Sequence, residues 1–201
     1  MKIKALEDTN ASLIDENRCL KAELQNASNS LKLMKQELNN SQQYSRRDCL
    51  EIKGIPIQRN EVTNEVVKSV GNLIGVEVKH EDISISHRLA AKQNSQMGVS
   101  KIDPAIIVKF VCRDVRGQFD AGRKHLRGKS TRDIGLSRIT EHKIYIGESL
   151  TQQNRQLFNS CLEKKQLNYK FIWTSTGCIF LRKDENSPIS ILEMKDLDKI
   201  H

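Results

Sequence analysis

Basic side chains are concentrated between residues 105 and 132, where eight lysines and arginines stand against two aspartates. Helical periodicity predicts a helix over residues 113–127 with Val115 and Leu126 on its apolar side. Guanidinium and ammonium groups at this density bind phosphate oxygens through charge-assisted hydrogen bonds. The segment therefore predicts binding to a polyanion, with a solvated charged surface as the alternative, through Lys109, Arg113, Arg116, Arg123, Lys124 and Arg127.

Patterns typical of enzymes are missing from the sequence. It contains no G-x-x-x-x-G-K phosphate loop, and its five histidines and five cysteines show neither zinc-ligand spacing nor a nucleophile–base pattern. The scattered cysteines are typical of reduced thiols in an intracellular protein. We therefore expect a binding protein that is not an enzyme, that uses no metal or cofactor, and that has no membrane-spanning segment.

A heptad pattern covers the first forty residues. With Ile3 at position a, no Pro or Gly interrupts the chain before Gly54, so one helix is predicted from the N-terminus to residues 42–44. A helix with such a narrow apolar seam is unstable alone and requires a partner helix. The pattern predicts a parallel coiled coil formed through Leu6, Asn10, Leu13, Asn17, Leu20, Leu24, Leu31, Met34 and Leu38.

Two asparagines in the seam bear on how many chains assemble. Asn10 and Asn17 occupy successive a positions, which favours an in-register parallel assembly and inclines it toward a dimer. Leucine at both a and d discriminates poorly, so dimer and trimer both remain open. The register is already present at Ile3, as expected for a fragment of a longer coiled coil or for a reading frame that starts at an internal methionine.

Charge divides along the same line as the heptads. Residues 1–43 hold six basic and six acidic residues, so the whole net charge of +8 lies in residues 44–201. A basic region joined to a neutral oligomerisation helix predicts nucleic acid as the partner.

Between residues 45 and 147 the periodicity predicts the order βαββαβ. The helices are predicted at residues 61–74 and 113–127, and the strands at residues 49–53, 83–87, 105–111 and 143–146. This order predicts an α+β protein with a ferredoxin-like domain, the architecture of RNA-recognition motifs (RRMs). The central strands offer Phe110 as an aromatic, with a core position as its alternative, so binding is expected to be mainly electrostatic and weakly sequence-selective.

The remaining residues predict a small α/β domain. Domain bounds are therefore predicted at 1–44 for the coiled coil, 45–147 for the RRM-like domain and 148–201 for the C-terminal domain. Thr151 is expected to cap a helix that ends near residue 166, with Leu157, Phe158, Cys161 and Leu162 buried. A hairpin is expected at residues 170–173 and 178–182, and a short strand at 189–192. Trp173 in this hairpin either stacks on an unpaired base or belongs to the core.

Several motifs follow the coiled coil in order along nearly the whole chain. They are Tyr44-Ser45-Arg46-Arg47 with Leu50-Glu51-Ile52 and Gly54-Ile55-Pro56, then Ile85-Ser86-His87-Arg88-Leu89, Ile106-Ile107-Val108-Lys109-Phe110, and Glu148-Ser149-Leu150-Thr151 with Asn154 and Phe171-Ile172-Trp173. Together they resemble two related groups. These are the first open-reading-frame proteins of LINE-type retrotransposons and the baculovirus few-polyhedra (FP) proteins with their transposon-borne relatives.

The resemblance implies an oligomeric nucleic-acid chaperone of a mobile element that coats single-stranded RNA, with DNA as the open alternative. It implies binding through the 113–127 helix and through Arg46, Arg47, Arg88, Lys170, Trp173 and Arg182. LINE-type proteins are typically trimeric, whereas Asn10 and Asn17 favour a dimer. The rival expectation is a structural adaptor of the FP type that acts through protein contacts. A cytoplasmic ribonucleoprotein, a nuclear location, or both, is expected.

Overall fold

The computed structural model describes residues 2–90, 103–136, 141–168, 170–182 and 189–191. The chain divides into two compact units, Met1–Gln42 and Gln43–His201. Helices and strands are both present, so the protein is of the mixed α+β type, as predicted. None of the described helices combines the length and the apolar character that crossing a bilayer requires.

Helix α1 (Lys2–Ser45) makes up the whole first unit and continues into the second. Its 44 residues correspond to a length of about 66 Å. The predicted leucines and methionine of the seam are between 51% and 71% exposed in the single chain. So much exposed aliphatic surface on an otherwise polar helix is what a coiled-coil strand presents before it meets its partner.

An antiparallel sheet of four strands forms the centre of the second unit. Its strands are β1 (Cys49–Lys53), β2 (Ile83–Arg88), β3 (Ile106–Phe110) and β4 (Tyr145–Glu148), and their spatial order is β2-β3-β1-β4. Helix α2 (Thr63–Ile74) connects β1 to β2, and helix α3 (Arg113–Gly122) connects β3 to β4. Strand β4 therefore lies at one edge of this sheet.

The core lies between one face of the sheet and the two helices. Alternate residues of the central strands are completely buried there, including Leu50, Ile52 and Val108. Phe110 of β3 packs against Phe119 of α3 with ring centroids 5.3 Å apart. Phe110 is therefore a core residue and is not available for base stacking.

The C-terminal residues form a helix and a second, three-stranded sheet. Helix α4 (Gln152–Asn168) is followed by β5 (Phe171–Ser175), β6 (Cys178–Arg182) and β7 (Ile189–Ile191), with the order β5-β6-β7. The Thr151 hydroxyl accepts a hydrogen bond of 3.2 Å from the Asn154 amide, which confirms the predicted cap. Thr176 and Gly177 both have positive φ, as a two-residue type I′ hairpin turn requires.

Some element bounds differ from the predictions for identifiable reasons. Helix α3 ends at Gly122 instead of residue 127, and residues Arg123–Leu126 continue as a 3₁₀ turn. A Cβ atom on Gly122 would lie 2.9 Å from the Ile74 side chain, so this glycine allows the two helices to approach closely. Strand β4 begins two residues later than predicted, at Tyr145, which pairs with the last residue of β1, Lys53, whereas Lys143 forms an isolated bridge with Ser130.

Three further expectations have mixed outcomes. Helix α2 begins at Thr63 instead of residue 61, because the backbone of Val62 is extended, with φ of −105° and ψ of 103°. Leu162 is 40% exposed, so the prediction that it is buried was wrong, whereas Leu157 and Cys161 are buried. The sequence also predicts a polar connection at residues 90–104, and most of it lies outside the described residues.

Replacement of Asn10 and Asn17 by valine tests the coiled coil. Valine at a with leucine at d favours a dimer, and each asparagine removed relieves a buried polar group that costs about 1–3 kcal/mol. We expect the double variant to unfold at a higher temperature by circular dichroism and to remain oligomeric by sedimentation. Asn26 and Asn40 occupy outward-facing heptad positions, so their replacement by valine is the matched control. A monomeric wild-type protein would contradict the coiled coil.

Candidate nucleic-acid interface

The buried carboxylate of Glu148 joins helix α3 to the C-terminal hairpin. Its side chain is 4% exposed and accepts a hydrogen bond of 3.0 Å from Nη2 of Arg116. It also accepts the backbone N–H groups of Thr176 and Gly177 in the hairpin turn, both at 2.9 Å. One carboxylate thus satisfies an arginine and two turn amides, which determines where the hairpin sits against α3.

The Gln43 side chain binds the same region from the end of helix α1. Its Nε2 donates to the Ser149 carbonyl at 3.0 Å, and its Oε1 accepts the Thr151 amide at 3.0 Å. The same Oε1 accepts Nδ2 of Asn154 at 3.1 Å. A Cβ atom on Gly177 would lie 2.3 Å from the Gln43 side chain, so glycine is required there for space as well as for its φ of +80°.

The outer face of the four-stranded sheet is closed by an ion pair instead of being lined by aromatics. Glu51 in the centre of β1 is 1% exposed and binds the Arg155 guanidinium of helix α4. The outward side chains of β1 and β3 are Cys49, Glu51, Lys53, Ile107 and Lys109, none of which is aromatic. Stacking of bases on the central strands, as in many RRMs, therefore has no side chain to support it.

Two of the predicted binding arginines are occupied by internal contacts. Arg88 is 14% exposed and forms a bidentate ion pair with Glu61, at 2.8 and 2.6 Å. It also donates to the carbonyls of Ile55, Pro56 and Pro104. Arg116 is held by Glu148 and by Asp120, the latter at 3.3 Å. Arg88 and both terminal nitrogens of Arg116 are used to hold the fold together, while Nε of Arg116 is buried without a hydrogen-bond partner among the described residues.

A first basic cluster lies at the N-terminal end of α3. We call it the junction patch and define it as Tyr44, Arg46, Arg47, Lys109 and Arg113. The Arg47 guanidinium lies 3.8 Å from the centroid of the Tyr44 ring, which is 66% exposed. Arg113 is exposed and lies 3.3 Å from Asp48, while Lys109 is exposed beside Cys49 in the strand register.

The electrostatics of the junction patch reflect this positive charge. A hydrogen bond from Arg47, together with the charges of Arg47 and Arg113, lowers the pKa of the Tyr44 hydroxyl from its ordinary value. Burial raises the pKa of the neighbouring Cys49 thiol, an effect that Lys109 partly opposes. Cys49 therefore remains a protonated thiol at neutral pH.

A second basic cluster surrounds an open groove of about 800 Å³ at the C-terminal end of α3. We call it the β4 groove. Its floor contains the buried side chains of Leu126, Ile144 and Ile146. Five basic residues and a single acidic residue, Glu141, line it together with Tyr145; the basic residues are Arg123, Lys124, Arg127, Lys129 and Lys143.

Most of the charge in the β4 groove is uncompensated. Glu141 is paired with Arg132 at 3.2 Å, and Arg123 is paired with Asp120 at 2.9 Å. Lys124, Arg127, Lys129 and Lys143 are exposed and make no ion pair with any described residue. Free cations above an apolar floor provide phosphate-binding groups beside a surface suited to a flat ring.

Backbone contacts hold the walls of the β4 groove in place. Gly128 has a φ of +78°, which turns the chain after the 3₁₀ segment. The Thr131 amide then donates to the His142 carbonyl at 3.0 Å, and Ser130 bridges Lys143. A Cβ atom on Gly54 would lie 2.0 Å from the Lys143 carbonyl oxygen, so this glycine lets the wall pack directly on the sheet.

The predicted residues of the C-terminal hairpin are only partly accessible. Trp173 is half-buried and stacks on Phe180, with ring centroids 5.5 Å apart and an interplanar angle of 15°. Arg182 is half-buried, whereas Lys170 is exposed with its Nζ 5.4 Å from the Phe171 ring centroid. Trp173 thus already has an aromatic partner in the folded chain.

The nucleic-acid-binding residues predicted from the sequence did not include the two exposed tyrosines, Tyr44 and Tyr145, or the groove lysines Lys129 and Lys143. The alternation of Lys143, Ile144, Tyr145 and Ile146 was the available signal, because alternation in an edge strand places Tyr145 outside the core. Among the described residues, no group of His, Cys, Asp and Glu is arranged to hold a metal ion.

The C-terminal segment is similar to a known protein family. Residues 151–201 match the protein family described as Baculovirus FP protein domain 2. The matched segment begins at Thr151, the cap of α4, and includes α4 and the strands β5 to β7. No curated protein is significantly similar to the chain.

Replacement of Glu148 by glutamine tests the junction between α3 and the hairpin. The amide lacks the negative charge that binds Arg116 and presents N–H groups toward donors, so we expect the free energy of unfolding to fall by about 2–4 kcal/mol. Urea denaturation followed by Trp173 fluorescence measures the change. Glu65 is exposed and pairs with Lys68 at 2.9 Å, so Glu65→Gln is the control, with an expected change of about 0.5 kcal/mol or less. Equal stabilities of the two variants would contradict the assignment.

Proposed function

We propose that the chain is an oligomeric, non-enzymatic protein that binds single-stranded nucleic acid, with RNA favoured, and acts as a chaperone for a mobile element. A single observation carries the proposal. Exposed basic side chains gather at the two ends of α3, and each cluster contains an exposed tyrosine, Tyr44 in the junction patch and Tyr145 in the β4 groove. Basic surface combined with accessible aromatic rings is typical of proteins that bind unpaired strands.

The topology supports an RRM-like domain as part of this proposal. The element order βαββαβ and the antiparallel strand order β2-β3-β1-β4 match the ferredoxin-like arrangement used by RRMs. The domain would differ from most RRMs in its binding surface, because Glu51 and Arg155 occupy the outer face of the sheet. The binding surface we propose lies at the ends of α3.

The spacing of the two clusters suits a strand that contacts both. Helix α3 has 10 residues, so its two ends are separated by about 14 Å at the usual helical rise. An extended chain of phosphates bridges such a gap within a few nucleotides. Helix α3 carries two carboxylates, of which Asp120 is already bound to Arg116 and Arg123 and therefore repels a passing strand only weakly, whereas Asp114 is exposed in the first turn.

Oligomerisation through α1 would multiply these contacts. Several basic modules held by one coiled coil bind a strand with avidity even when each module alone binds weakly. Electrostatic contacts without base readout also exchange quickly, which allows strands to rearrange while they remain coated. We therefore place the protein in a ribonucleoprotein of the cytoplasm, in the nucleus, or in both.

The origin in a LINE-type retrotransposon or a related element rests on the ordered motifs, and the match to FP domain 2 supports the FP side of this relationship. The same match favours a second candidate function. A structural adaptor of the FP type would use the C-terminal segment and the coiled coil for protein contacts. The two functions differ in whether the purified chain binds nucleic acid with a strong dependence on salt.

Neutralisation of the junction patch tests nucleic-acid binding. We expect Arg47→Gln, Lys109→Gln and Arg113→Gln together to weaken binding of a labelled single-stranded RNA. The slope of log K against log salt is negative, and each lost phosphate contact reduces its magnitude by about 0.7. The triple change should therefore make the slope shallower by about 2 between roughly 50 and 200 mM salt. Fluorescence anisotropy measures both affinity and slope.

The control neutralises basic residues outside both clusters. Arg59 and Lys79 are exposed and form no ion pair with a described residue, so Arg59→Gln with Lys79→Gln should leave the slope nearly unchanged. A wild-type protein that does not bind RNA, or binds it without salt dependence, would remove the chaperone proposal and leave the adaptor. Equal losses in the triple variant and the control would move the binding surface away from the junction patch.

A further inference from the structure

We infer that the β4 groove is a nucleotide-binding subsite, in which one unpaired base lies on the Tyr145 ring and the flanking phosphates bind Lys124, Arg127 and Lys129. The inference rests on the proposed function and names the place where single strands are distinguished from duplexes. It also gives a role to a side chain that the sequence motifs did not single out.

The ring of Tyr145 is accessible. The described residues expose three large aromatic side chains, Tyr44, Tyr145 and Phe171. Arg47 lies over Tyr44, and Lys170 lies over Phe171. Tyr145 is 58% exposed and makes no ring or cation contact with the described residues. A large apolar surface left open at the rim of a basic groove is a suitable platform for a base.

The size of the groove suits a single nucleotide better than a helix. Its volume of about 800 Å³ lies within the range of about 300–1,000 Å³ that is usual for small-ligand sites. The buried floor residues Leu126, Ile144 and Ile146 exclude water from beneath such a ligand. A base in a duplex is stacked on both faces, so only an unpaired base can present a face to Tyr145.

The charges around Tyr145 fit the phosphates on either side of that base. Among the described residues no carboxylate competes for Lys124, Arg127 and Lys129, because Glu141 in the groove is bound to Arg132. The 3₁₀ turn and Gly128 present these three residues from one short segment. The segment is anchored to the sheet by Ser130 and Thr131, so it is prearranged and loses little entropy when a strand binds.

The test compares a strand that has bases with one that lacks them. The probes are labelled oligouridine and an abasic deoxyribose strand of the same length, with oligodeoxyuridine added to separate the effect of the sugar. Wild-type protein should bind both base-bearing strands more tightly than the abasic strand. Loss of one stacked base reduces affinity by roughly 5- to 100-fold.

The deciding variants change the side chain of Tyr145 and preserve strand β4. Tyr145→Val removes the π surface and retains a residue that favours a β-strand, so it should lose most of the preference for bases and bind the abasic strand as the wild type does. Tyr145→Phe retains the ring and should keep the preference. A Tyr145→Val protein that still prefers base-bearing strands to the wild-type extent would overturn the inference.

A second arm tests the phosphate contacts of the groove. We expect a shallower slope of log K against log salt, reduced in magnitude by about 2, when Lys124→Gln, Arg127→Gln and Lys129→Gln are combined. The Arg59→Gln and Lys79→Gln control should leave the slope unchanged. Polyglutamate of equal charge should compete poorly with oligouridine, because it offers no ring for Tyr145. Effective competition by polyglutamate would indicate an acidic peptide as the ligand and overturn the inference.

The outcomes separate this inference from the proposed function. If the wild-type protein binds none of the strands, the proposed function fails and the groove loses its ligand with it. If the wild type binds with normal salt dependence but Tyr145→Val and the groove triple variant behave like the control, the subsite is wrong and the proposed function stands. Thermal unfolding of each variant shows that a loss of binding is not a loss of fold.

Discussion

The arrangement of the second unit depends on a buried carboxylate. Glu148 ends the edge strand β4 and binds Arg116 of α3 together with the two amides of the hairpin turn. A carboxylate that is 4% exposed is tolerated only because every one of these donors compensates its desolvation. The Gln43 side chain binds the adjoining backbone, so the end of α1, the end of β4 and the hairpin turn meet in one hydrogen-bonded cluster.

Ion pairing with carboxylates divides the arginines and lysines of the second unit into two groups. Arg88, Arg116 and Arg155 are bound to Glu61, Glu148 and Glu51, and their positive charge is neutralised inside the unit. In the β4 groove, by contrast, Lys124, Arg127, Lys129 and Lys143 have no carboxylate partner among the described residues. Counting charges along the chain does not separate the two groups, because the difference lies in what each guanidinium or ammonium group contacts.

The surfaces we propose for binding also explain how a protein poor in aromatics would select single strands. The sheet face that most RRMs use is blocked by the Glu51–Arg155 pair, and Phe110 is needed for the core. In the proposed interface, stacking would depend on tyrosines at the margins, of which Tyr145 makes no ring-stacking or cation–π contact with the described residues. A single stacking contact per chain is weak, so a coiled coil that gathers several chains is the complement such a surface needs.

The periodic features of the chain could be predicted from the sequence alone. The heptads predict the long helix, alternation predicts β1 at residues 49–53, and Thr151 with Gly177 predicts the cap and the hairpin turn, because each depends on neighbours within a few residues. The end of α3 at Gly122 depended on the distant Ile74, and the use of Arg88 and Arg116 depended on Glu61 and Glu148. The two residues of each such pair are far apart in the sequence, so the residues next to one of them do not indicate its partner. The proposed binding surface therefore depends on the folded chain, because only the tertiary contacts determine which charges have no carboxylate partner.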